Sequence, residues 1–111
     1  MRDYRMYIGK VYPAPHGCLL LVADVLRDVF DHAVPFEVTE QVMQVFRKNM
    51  IAVTNPKEGD MVMIKANQWH VGVIVSPGMM IHAAPPIGTV IIERYDGLQW
   101  KSRIRGYYTW Q

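Results

Sequence analysis

The sequence contains one cysteine, Cys18, so no intramolecular disulfide can brace the fold and packing alone must hold it. It also lacks an unbroken apolar run of the roughly 18 residues that a membrane-spanning helix needs. Charge of one sign is missing too. Twelve basic residues against 10 acidic ones leave a net +2, and no basic run or stripe marks a nucleic-acid surface. Neither a nucleic-acid nor a membrane partner is therefore expected. Met1 to Tyr7 lack the apolar core of a secretory signal, so synthesis in the cytoplasm without a signal peptide is expected. No internal repeat, low-complexity tract or linker divides the chain. What remains is 111 residues, half of them apolar and a fifth charged, enough for a single domain over residues 1–111 with a real core.

The pattern of the chain changes once, near its middle. Asp3 to Tyr7 reads as a short helix ended by Gly9, followed by a loop, Tyr12-Pro13-Ala14-Pro15-His16-Gly17, whose prolines forbid a continuous helix. From Cys18 to about Ala33 the apolar Val22, Leu26, Val29, Phe30 and Ala33 recur at helical spacing. Asp24, Arg27, Asp28 and Asp31 take the opposite side, and Pro35 stops the helix. A second helix is expected from Val38 to Lys48, with Val42, Val45 and Phe46 buried and Arg47-Lys48 at the cation-favouring C-terminus. Beyond Gly59-Asp60 the chain becomes β-rich: Met61–Lys65, His70–Val75, Met79–Ala83, Thr89–Arg94 and Gly106–Trp110 read as strands between turns. Helices first and a meandering sheet second predict an α+β fold, with N-terminal helices packed on one face of a C-terminal antiparallel β-sheet.

Three residues carry chemistry. A thiol at the start of a helix feels the positive end of the helix dipole, which favours thiolate. A hairpin centred on Ser76 sets His70 and His82 directly opposite each other, roughly 5 Å apart at Cβ. A slipped register leaves them as diagonal neighbours, still within reach through their rings. The helix packed on that sheet then brings Cys18 over the pair. Plainer readings stand beside this one: an inert buried thiol, two structural histidines, or a Cys-His-His zinc site short of its fourth ligand. His16 reads as a surface loop residue and His32 as a complement to the helix dipole. Tyr107, Tyr108 and Trp110 read as core.

The order of these residues resembles the NlpC-type family of papain-like cell-wall cysteine peptidases. Tyr7-Ile8-Gly9-Lys10-Val11-Tyr12 is similar to the family's lead-in, and Cys18-Leu19-Leu20-Leu21-Val22 to its Cys-x-x-Leu-Val helix start. Gly59-Asp60-Met61-Val62 is similar to its Gly-Asp-x-Val strand opening, and His70-Val71-Gly72-Val73 with Ile81-His82-Ala83 to its second and third strands. Trp100 followed by Arg103-Ile104-Arg105-Gly106-Tyr107-Tyr108 looks like the small members encoded by tailed phages and prophages.

The resemblance implies a papain-like fold and a peptidoglycan hydrolase that cleaves an amide of the stem peptide through an acyl-enzyme, with no cofactor or metal. Cys18 is then the nucleophile, His70 the general base and His82 the residue that orients it. Tyr12 is the side-chain oxyanion donor, with Tyr7 as its substitute. The implied setting is the virion or phage tail, with other tail proteins as partners. A structural tail-tip module with the same fold and little or no hydrolysis is the competing expectation. The family usually places Asp or Asn before the cysteine and Ser or Trp after it, where this chain has Gly17 and Leu19.

Overall fold

The structure, a computed structural model, describes residues 2–32 and 42–110. Its first helix, α1, spans Gly17–Val29. The prolines of the preceding loop keep the chain out of helix until His16, which caps α1 without a side-chain hydrogen bond. Leu19, Leu21, Val22, Ala23, Val25 and Leu26 are buried, a wider apolar face than a single stripe. The helix ends earlier than expected. Asp31 adopts φ 51, a left-handed conformation that Asp tolerates better than most residues, and the N–H groups of Phe30 and His32 both return to the Leu26 carbonyl. The terminator is thus this reversal at Asp31, while Ala33 and Pro35 lie outside the described residues. A second helix, α2, spans Val42–Asn49, with Val45 buried and Arg47 and Lys48 in its last turn. Its expected start at Val38, and the expected burial of Val42 and Phe46, fall outside what is described.

Asp3 to Tyr7 does not form a helix. The Asp3 carboxylate binds the backbone N–H and guanidinium of Arg5, and Tyr7 and Lys10 donate to the carbonyls of Tyr4 and Tyr7 in successive turns. The chain is then drawn onto a strand edge. Gly9 N–H donates to Val90 O, Val90 N–H to Lys10 O, and Tyr12 N–H to Gly88 O. Edge pairing satisfies backbone groups that a one-turn helix would leave open.

Six strands form one antiparallel sheet: β1 (Met50–Val53), β2 (Met61–Lys65), β3 (Trp69–Ser76), β4 (Met79–Ala84), β5 (Thr89–Arg94) and β6 (Ile104–Trp110). Their spatial order is β1-β6-β2-β3-β4-β5. Strand β1 was not expected from the sequence, because it follows α2 with no turn residue between them. The Gly59-Asp60 opening of β2 has a local cause. Gly59 takes φ +94 against the Phe30 ring, and the buried Asp60 carboxylate accepts the Lys57 N–H, closing the turn.

Alternation splits the sheet into two apolar clusters. On one face Val71, Val73, Ile81, Ala83 and Val90 pack with α1. On the other Val62, Ile64, Ile74 and Met80 pack with Tyr95 and Trp100. Of the C-terminal aromatics, half-buried Tyr107 packs on the second cluster, and Tyr108 and Trp110 on the first. Among the described residues no helix is long and apolar enough to cross a membrane.

Candidate active site

Cys18 is the second residue of α1, so its backbone N–H lies in the first turn, where no intrahelical acceptor exists. The loop before it is clamped between two glycines. A Cβ added at Gly17 would lie 1.9 Å from the Tyr12 carbonyl oxygen, and one at Gly88 2.2 Å from the same atom. The Tyr12 peptide is thus wedged between the start of α1 and the β4–β5 turn, which fixes where the cysteine begins its helix. No side chain fits at position 17. The Asp or Asn expected before the cysteine is excluded here by backbone contact.

The thiol is half-buried, and its surroundings push its pKa up. Burial is the main cause, opposed by the backbone N–H groups of Val71, Leu19 and Cys18 itself. Removal from water thus works against the thiolate that the helix start favours.

The two histidines meet, but not as a direct cross-strand pair. In the β3–β4 hairpin Val73 opposes Ile81 and Ile74 opposes Met80, then a bulge lets Ser76 oppose Met79. The turn is closed by Pro77-Gly78, with Gly78 at φ +80, so its centre lies past the expected Ser76. His70 and His82 become diagonal neighbours whose rings close the gap: His70 Nε2 lies 2.7 Å from His82 Nδ1. Gly72 makes room between them. A Cβ there would sit 2.9 Å from the Met80 sulfur and 3.4 Å from His82 Cβ.

Alternation sends both imidazoles to the face opposite α1, so the helix does not lie over the pair as expected. They sit instead under Trp100, which stacks on His70 (centroids 6.1 Å, 16°) and meets His82 edge-on (5.4 Å, 90°). His82 is fully buried, and its second nitrogen, Nε2, lies 2.6 Å from Glu93 Oε2 on β5. Sequence reading missed both Trp100 as a packing partner and Glu93. The first has no local signal. The second is visible only once the β4–β5 register is known.

Burial, reinforced by the neighbouring His82, lowers the His70 pKa to about 3. Burial also lowers that of His82, partly opposed by the Glu93 carboxylate. Both shifts favour the uncharged rings.

Cys18 and His70 come together at the end of the sheet, where both line a cleft of about 620 Å³. The Cys18 sulfur rests by the Val71 peptide, the residue next to His70. Trp69, Lys65 and Arg103 line the same cleft, Lys65 Nζ lying 4.9 Å over the Trp69 ring. Among the described residues, no Asp or Glu lines it.

Tyr12 also lines the cleft, but its hydroxyl donates to Asp24 Oδ2 at 2.7 Å, nearly two turns along α1 from the cysteine. Tyr7 donates to Asp28 and to the Asp24 carbonyl. Neither hydroxyl is aimed as the expected oxyanion donor. Both instead tie the N-terminal segment to α1. His16 caps α1 outside the cleft lining, and the His32 ring packs on Trp110 at 5.5 Å. Among the described residues no group of three or more His, Cys, Asp or Glu side chains is placed to hold a metal ion.

The NlpC/P60 family model matches residues 6–109, nearly the whole chain. No curated protein sequence matches it significantly.

Proposed function

From the premise that the chain belongs to the NlpC/P60 family, whose members are generally cysteine peptidases of the cell wall, we propose that it is a peptidoglycan endopeptidase. On this reading it cleaves an amide of the stem peptide through Cys18, His70 and His82. The observation that carries the proposal is that Cys18, at the start of α1, and His70 line one cleft while His82 hydrogen-bonds His70 from the buried side. The papain-like arrangement, a nucleophile at a helix start beside an imidazole on a sheet, belongs to the same proposal.

Burial favours the uncharged thiol and imidazole, and the proposed chemistry starts from that pair. The Cys18 sulfur attacks the scissile carbonyl carbon as His70 takes the thiol proton, so thiolate forms only as it reacts. The carbonyl oxygen gains charge, and the Cys18 N–H, in the first turn of α1 with no intrahelical acceptor, is the backbone donor suited to it. His70 returns the proton to the departing amine, leaving a thioester on Cys18. Water, deprotonated by His70, then releases the carboxylate and restores the thiol. His82 holds the His70 ring throughout. Lys65 and Arg103, with no opposing acid among the described residues of the cleft lining, suit a peptide that carries carboxylates. The Tyr12 ring contributes cleft wall. Attachment to a phage tail, with tail proteins as partners, is proposed from the C-terminal Arg103–Tyr108 motif.

The test is incubation of wild type and Cys18→Ala with purified peptidoglycan and short stem peptides, following new amino groups by mass spectrometry. Cleavage by wild type and none by the variant is expected. Absence of cleavage by wild type across several wall chemotypes overturns the proposal in favour of a non-hydrolytic module.

A further inference from the structure

The antiparallel β4–β5 ladder pairs His82 with Ile91 and Met80 with Glu93, so Glu93 lies diagonally from His82 on the same sheet face. That geometry gives the two-histidine chain an end. His82 has no exposed surface, and both its ring nitrogens are engaged: Nδ1 by His70 Nε2 at 2.7 Å and Nε2 by Glu93 Oε2 at 2.6 Å. A carboxylate only accepts hydrogen bonds, so the proton of a neutral His82 must sit on Nε2. Its Nδ1 is then a lone pair, which requires N–H at His70 Nε2. A neutral imidazole carries one ring proton, so the remaining lone pair of His70 falls on Nδ1, the nitrogen not committed to His82.

Without an acceptor at the Glu93 position, the chain has two arrangements with equal claims. His70 can donate to His82, or His82 can donate to His70. The second puts the His70 proton on Nδ1 and removes the base. We infer that Glu93 is a positioning residue, the acceptor-only terminus of a Glu93–His82–His70 chain, which sets the tautomer of both histidines and leaves Nδ1 of His70 as the basic nitrogen. The inference deepens the proposed peptidase and rests on it only for the role of that nitrogen in catalysis. It also assigns Glu93 a second task. As His70 takes up a proton during acylation, the carboxylate stabilises positive charge passed along the chain.

Two-bond proton–nitrogen spectra of protein labelled with nitrogen-15 in histidine read the tautomers without any substrate. Wild type at pH 7.5 should show His70 and His82 both as Nε2–H. Glu93→Leu should move His82, and with it His70, toward Nδ1–H. Glu93→Gln, whose amide oxygen still accepts, should restore the Nε2–H forms. On a cleavable stem peptide, Glu93→Leu should lower kcat about 10- to 100-fold with little change in KM, and Glu93→Gln should fall between it and wild type.

A wild-type His70 carrying Nδ1–H overturns the inference, and needs no variant to fold. So does a Glu93→Leu protein whose histidines stay in the wild-type tautomers. Failure to cleave any peptide counts against the peptidase reading alone, since the spectra decide the chain by themselves.

Discussion

The burial that disfavours charge on His70 has a thermodynamic signature that can be worked in advance. The unfolded chain protonates His70 near pH 6.5, whereas burial holds the folded ring's pKa down to about 3. Between those values the unfolded state binds more protons than the native one, so stability falls as pH falls. The contribution is fully present above pH 6.5 and is lost at about 1.4 kcal/mol per pH unit below it. From pH 7.5 to 5.0 His70 alone therefore removes about 2 kcal/mol, a large share of the 5–15 kcal/mol typical of a domain. His82 acts in the same direction. The exposed carboxylates Asp3 and Asp96 have lowered pKa values from their Arg5 and Arg94 partners, so their effect begins below about pH 4, outside this window. Urea unfolding at pH 7.5 and 5.0 reads the difference as a midpoint shift of about 1 M. His70→Gln should lose about 2 kcal/mol less than wild type over the same interval. Equal losses in the two proteins refute the reasoning, and point to an imidazolium already present in the fold, paired with a Cys18 thiolate.

The same electrostatics predict Cys18 alkylation by iodoacetamide that climbs through pH 9, because burial raises the thiol pKa. A rate held at the thiolate level from pH 5 to 8 contradicts it. Gly17→Ala puts a methyl 1.9 Å from the Tyr12 carbonyl, where only backbone movement relieves the clash. A loss of about 3 kcal/mol or more is expected in denaturant titration, and an unchanged midpoint tells against the clamp. Tyr12→Phe removes a hydrogen bond to the Asp24 carboxylate and should cost about 1.5–3 kcal/mol of stability. Its kcat on a cleavable peptide should stay within a few-fold of wild type. A fall of about 100-fold restores the oxyanion role that the Asp24 contact takes away.

Elements whose cause is local were legible in the sequence. Met61–Lys65 and Thr89–Arg94 form strands with the expected bounds, because β-branched and apolar residues alternate between turn residues that fix their ends. The start of α1 was legible for a similar reason, since Pro13 and Pro15 leave few places for a helix to begin. Elements made by tertiary contact were not. Asp3 to Tyr7 has helical composition, but the open edge at Val90 outbids one turn of helix. Strand β1 exists because β6 offers Met50–Val53 a partner, and nothing in those four residues separates them from the end of α2.

The site divides along the same line. The residue types and their order named Cys18, His70 and His82, but the geometry joining them depends on where the hairpin turns, at Pro77-Gly78 with a bulge just before it. That register turns a pair expected face to face into a diagonal one. It also explains why Gly72 is a glycine: a side chain there would meet Met80 and His82 where the rings must pass. The imidazoles, on the side of the sheet away from α1, then need partners of their own, and Trp100 and Glu93 supply stacking and an acceptor. Cys18 and His70 line one cleft, with the Cys18 sulfur beside the Val71 peptide. The 12–17 loop, clamped at Gly17 and Gly88, therefore sets where α1, and Cys18 with it, begins.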